Sequence, residues 1–150
     1  MKKLVSTTDD GGLALIRIAL GVVMFPHGAQ KVLGWFGGYG WEGTMGWLTG
    51  SLGIPAVFAV LAILAEFLGS LGLITGLLGR VAAFGILCNM LVAVWLLHGK
   101  VGFFMNWNLT AGSGEGFEFH ILAAAMALLI IWKGSGAYSA DRVVSERLAR

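Results

Sequence analysis

The sequence predicts an all-α membrane protein: a bundle of four transmembrane helices with two long outer loops and a short amphipathic helix near the C-terminus. Three observations lead there. Of 150 residues, 57% are apolar and 12% charged, with a mean hydropathy of +0.84, whereas a soluble domain carries about twice that charge. The apolar residues fall into four blocks, each near the roughly 20 residues that a spanning helix needs. The basic residues gather at segment ends instead of covering a surface, so nucleic-acid binding has no footprint. Residues 1–150 read as one domain.

The first helix is expected over 13–33. Its apolar run is too long for a signal-peptide core and lacks a small-residue cleavage site, so it reads as a retained helix. Arg17, a turn inside, can snorkel back to the headgroups. Pro26 removes a backbone donor, which predicts a kink, an unpaired Val22 carbonyl and room for a water or ligand. The second helix is expected over 55–74 and the third over 80–98. Only Thr75 to Gly79 joins them, so they form an antiparallel hairpin. The fourth is expected over 117–133. After it, two glycines precede Ser139 and Asp141, either of which can cap a helix through Val143, Val144 and Leu148. That helix reads as lying on the membrane surface or as docking a cytosolic partner.

Lys2, Lys3, Arg80, Lys133, Arg142, Arg147 and Arg150 lie on one side of the spans, and only Lys31 and Lys100 on the other. The positive-inside bias then puts both termini on the cytoplasmic side of the membrane. The loops 34–54 and 99–116 face outward. They hold Trp35, Trp41, Trp47 and Trp107, which read either as an interfacial belt or as a lid whose indoles stack on a flat ligand such as a quinone. Seven glycines from Gly37 to Gly53 argue against a straight helix there, and Asn108-Leu109-Thr110 matches a glycosylation sequon. Gly69, Gly72, Gly76 and Gly79 form a small-residue stripe for helix contact, and Ala123, Ala124, Ala125 and Ala127 can serve the fourth helix in the same way. Cys88 is the only cysteine, so no internal disulfide and no cysteine-based cluster can form.

Ionisable groups inside a span are expensive and mark functional paths. From the helical rise, His98 is expected at the outer surface, Glu118 and His120 within about 5 Å of it, His27 about 9 Å down and Glu66 about 16 Å down. Converging, they would line an outward-opening funnel that ends at Glu66. Each also has a structural alternative. Glu118 and His98 suit the dipoles of the helix ends they occupy; Lys31 can snorkel; His27 and Glu66 can simply bond to another helix. Glu118 and His120, two apart, point to different faces. Glu66 is the strongest pointer, as a neutral donor or proton carrier with Asn89 as a candidate partner. Gln30 and Lys31 follow His27 on its face and can hold an anionic or carbonyl-bearing group. No histidine pair has the spacing of a helical metal motif, so no metal site is assigned; a bis-histidine haem is not demanded either.

Leu15-Ile16-Arg17 with Gly21, Phe25, His27-Gly28 and Lys31 is one matching group; Glu66, Gly69 and Gly72-Leu73, then Arg80, His98-Gly99, Glu118-Phe119-His120, Gly136, Ser139 and Asp141 follow in order. Together they resemble the DoxX family of bacterial and archaeal membrane proteins. The resemblance implies a four-helix bundle tied to redox chemistry. Members are described as subunits of a terminal quinol oxidase or a thiosulfate:quinone oxidoreductase, and as parts of oxidative-stress complexes with superoxide dismutase and a sulfurtransferase.

The expected function is a redox-associated membrane subunit working with a partner oxidoreductase; whether the chain itself is catalytic stays open. A quinone headgroup would bind under the outer loops near Trp41, Lys31, His98 and Glu118. His27 and His120 would bond its carbonyls, and Glu66 with His27 would handle protons. The alternatives are a non-catalytic scaffold for an oxidative-stress complex, with a second copy of the chain among its partners, or a small-molecule or metal carrier.

Overall fold

The computed structural model describes residues 2–149 and is 73% helix, with no strand among the described residues. A short α1 (Lys2–Val5) precedes α2 (Gly11–Leu33). The long helix starts two residues earlier than expected because the Asp10 side chain accepts from the Leu13 N–H at 3.1 Å, and it stops at Gly34, whose φ of +70° suits glycine. Pro26 lies inside it without ending it. The glycine-rich segment that argued against a straight helix holds only a short α3 (Gly40–Gly46), continued by a wider turn over Trp47–Ser51. Then come α4 (Ala56–Thr75), α5 (Gly79–Leu96), α6 (Glu118–Lys133) and α7 (Ala140–Ala149). His98, expected at the end of the third span, falls beyond it in a 3-10 turn over His98–Lys100.

Three helices, α2, α4 and α5, are long and apolar enough to cross a membrane. At 16 residues α6 is shorter than these, about 24 Å along its axis. The four pack in a ring, α2 against α4 and α6, and α5 against α4 and α6. Inside sit Leu20, Met24, Leu73, Ala83, Ile86, Met90, Ala123, Ala127 and Ile130. Large apolar chains also cover the outside: Leu15, Val57, Trp95 and Trp132 are each at least 70% exposed. A contiguous apolar exterior is tolerable only against another apolar phase.

Two glycines set the tightest crossing. A Cβ on Gly28 would lie 2.6 Å from Phe67 Cα, and one on Gly21 would lie 2.9 Å from the Ile74 backbone nitrogen. Seven residues apart, they face α4 from the same side of α2 and let the two backbones touch. The predicted stripe on α4 divides in two. Gly69 and Gly72 face Ala82 on α5, whereas Gly76 and Gly79 close the turn against Ser139 and Ser135 of the tail. On α6, Ala123 and Ala127 are buried while Ala125 is exposed, one helical turn supplying the contact face.

At the end that carries both termini, Arg17 does not snorkel. It is wholly buried and donates to five carbonyls: Ser135 (2.7 Å), Ile74 (2.9 Å), Tyr138 (3.1 Å), Ala137 (3.3 Å) and Leu73. Leu73 and Ile74 end α4, where the helix dipole favours a cation. Asp141 is also buried. It caps α5 from a distance, accepting from the Leu78 and Gly79 N–H groups at 2.7 and 2.9 Å and from the Ser135 hydroxyl at 2.6 Å. Ser139 is therefore the residue that caps α7, through the Arg142 N–H. Arg80 donates to the last carbonyls of α6, Ile131 and Trp132, and to Ser6. The tail as far as Asp141 is thus part of the bundle, and the amphipathic helix expected after it is α7.

Candidate functional site

The α2–α4 crossing places the first part of the site. Gly28 seats α2 on the Glu66–Phe67 backbone, and Lys31, three residues on, reaches Glu66 in an ion pair. The Glu66 side chain is 9% exposed and that of Lys31 30%, so the carboxylate is nearly dry while the ammonium reaches outward. Asn89, the partner expected for Glu66, instead donates to the Ala62 carbonyl at 2.7 Å. A lysine one turn from the helix end supplies what a buried carboxylate most needs, a charge of opposite sign. Glu66 is accordingly paired with Lys31, a partner its position alone did not suggest.

A row of rings forms the second part. His27 is exposed on α2 yet within electrostatic range of Glu66 and Lys31. Its ring centroid lies 6.2 Å from that of Phe119 on α6. His120, the next residue, is 7% exposed and stands 4.1 Å from the ring of His98. His98 Nδ1 is 2.7 Å from the Glu115 carbonyl, which can only accept, so Nδ1 carries a proton. His120 Nδ1 is buried and has no hydrogen-bond partner among the described residues. An orphaned buried polar atom costs about 1–3 kcal/mol and calls for an explanation such as a ligand or water.

Two predicted residues stand outside this row. Glu118 accepts from Trp107 Nε1–H at 2.6 Å and the Met105 N–H at 3.2 Å, which ties down the 99–117 loop. It points away from His120, as the two-residue spacing requires. Trp41 sits on α3, 39% exposed, and makes no hydrogen bond or ring pair with the histidines among the described residues. Trp35, Trp47 and Trp107 are exposed too, which agrees with an interfacial belt. A cavity of about 420 Å³ does lie in the 99–117 loop, lined by Phe104, Met105, Asn106, Trp107 and Thr110 among others, but no histidine borders it.

Among the described residues, no three His, Cys, Asp or Glu side chains come together as a metal site. The polar groups instead form a band that runs from the Lys31–Glu66 pair past His27 and Phe119 to His120 and His98. Sequence reasoning missed Phe119 as the spacer between the imidazoles and Gly28 as the residue that sets the crossing. A small residue beside His27, three before Lys31, was the available signal.

Compared with known protein families, residues 12–99 match DoxX, more than half of the chain. The chain belongs to the DoxX family. The match takes in Arg17, His27, Lys31, Glu66 and His98 but ends before His120, so the α6 half of this DoxX protein's imidazole row rests on geometry alone. No curated protein and no solved structure matches the chain.

Proposed function

We propose that this DoxX protein is a redox-associated membrane subunit that binds a quinone, or a similar flat dicarbonyl, at the seam between α2 and α6. In this reading all four ring helices span the membrane and the termini face the cytoplasm, as the basic residues at that end favour. The observation that carries the reading is His120, buried with Nδ1 unpartnered, one phenylalanine from an exposed histidine. Of the ring contacts, α2 and α6 make the loosest, so a lipid-soluble molecule reaches this seam sideways from the bilayer. That route replaces the outward funnel.

His27 and His120 then supply hydrogen bonds to carbonyl oxygens, with Phe119 as the surface for the ring to lie on. Lys31 and Glu66 hold a charge pair beside them, and His98 links His120 to the outer loop. A bound quinone would accept or give up electrons and protons; the chain carries no metal or flavin motif, so a partner oxidoreductase supplies the electrons. The fit is to hydrogen-bond donors and acceptors in an apolar wall.

The test is fluorescence quenching of protein in lipid nanodiscs by a short-tailed ubiquinone or menaquinone analogue. Saturable quenching lost in His120→Phe supports the assignment; quenching equal in wild type and variant, or none at saturation, removes it. The rival scaffold reading draws on the Lys31–Glu66 pair, which satisfies both charges without a ligand. It predicts that Glu66→Gln leaves the activity of any partner complex unchanged.

A further inference from the structure

The end opposite the imidazole row holds a second cleft. α1 packs against α7, and between them lies a cavity of about 240 Å³ lined by Lys2, Lys3, Ser6, Ser145 and Leu148. Both lysines are exposed, and among the described residues neither enters an ion pair. The nearby carboxylates are engaged elsewhere: Asp9 and Glu146 with Arg142, and Asp141 with the α5 amides. Two lysines and two serines thus contribute to a space without a lining carboxylate, and most of its wall is apolar. Such donors suit the oxygens of a phosphate group.

Leu148, the apolar residue of the lining, is 39% exposed. The cleft is also held at the helix ends, since the Gly136 N–H donates to Thr7 and the Ala137 N–H to the Asp10 carbonyl. A free anion has no use for a mostly apolar wall with an exposed leucine, whereas a molecule with a phosphate at one end and acyl chains at the other fits both features. The volume also excludes a partner helix, which is about 10 Å across. We propose that the α1–α7 cleft binds the headgroup phosphate of an anionic phospholipid and so anchors the tail to the membrane surface. This rests on the membrane location alone and is independent of the quinone site.

The test is native mass spectrometry of the detergent-solubilised full chain with equal phosphatidylglycerol and phosphatidylcholine, for wild type and the double variant Lys2→Gln/Lys3→Gln. A lysine near an anionic surface is worth about 1 kcal/mol, roughly fivefold in affinity, so the double variant should hold phosphatidylglycerol about 30-fold more weakly. Ser145→Glu, which puts a carboxylate into the cleft, should lose it as well. Equal retention of both lipids, retention unchanged in the variants, or complete displacement by inorganic phosphate would each overturn the assignment.

Discussion

Gly28→Ala is the substitution whose cost can be worked most directly from the geometry. The added methyl carbon would lie 2.6, 2.7 and 2.9 Å from Phe67 Cα, Phe67 N and Glu66 C, where ordinary contact begins at 3.4 Å. All three are backbone atoms of α4 and cannot swing aside, so the helices must part by about 0.8 Å locally. Overpacking of this kind costs about 1–3 kcal/mol. Alanine returns up to about 1 kcal/mol through its higher helix propensity, which leaves a net loss of up to about 2 kcal/mol. Gly69→Ala is the matched control, because its Cβ would sit at 3.4 Å from the Ala82 carbonyl oxygen, in ordinary contact. The assay is equilibrium unfolding in mixed micelles by SDS titration followed by circular dichroism. Gly28→Ala should unfold at lower SDS fraction and Gly69→Ala at the wild-type fraction or higher. Equal midpoints for the two variants would refute the reasoning that α2 and α4 meet backbone to backbone.

Other consequences can be measured in the same way. Lys31→Met leaves Glu66 as an unpaired carboxylate in a nearly dry place, at a cost of about 3 kcal/mol, while the double variant Lys31→Met/Glu66→Leu should recover to within about 1 kcal/mol of wild type; a double-mutant cycle reads the difference. Arg17→Leu orphans five carbonyls at the closed end. A loss of about 3–5 kcal/mol is expected, with limited proteolysis now cutting between Gly134 and Ser139, and Arg17→Lys should not rescue it, since one ammonium cannot serve a fork of acceptors. Glu118→Ala should release the loop, seen as faster hydrogen exchange at Met105, whereas Glu118→Gln keeps an acceptor for Trp107 and should exchange at the wild-type rate.

The long helices were legible because each is an apolar run closed by glycine or a polar cluster, and their observed bounds fall within two residues of expectation. Local signals stop there. α3 was hidden by glycines that lower helix propensity, yet it forms because Leu48 just beyond it, with Met45 beside, packs onto Ala59 and Ile63 of α4. Arg17 gave the same sequence cue as a snorkelling arginine; only the tail folding back over it, more than a hundred residues later, decides between burial and exposure. The capping of α5 by Asp141 was unreadable for the same reason, and it supports Leu78 at a φ of +50° that no sequence rule assigns to leucine. At the site, the candidate residues stood out because ionisable groups are conspicuous in apolar runs. Their pairing was not readable: Lys31 and Glu66 are 35 residues apart, and Asn89 looked closer by depth alone.

The central claim is that the imidazoles of α2 and α6 frame one binding place at the seam between these helices. Photolabelling by an azido-quinone in nanodiscs, with peptides mapped by mass spectrometry, tests it most directly. The account predicts label on the segments around His27–Lys31 and Phe119–His120, suppressed by excess unlabelled quinone. Label confined to the tryptophan-rich loops, or spread along every exposed helix and indifferent to competition, would contradict it.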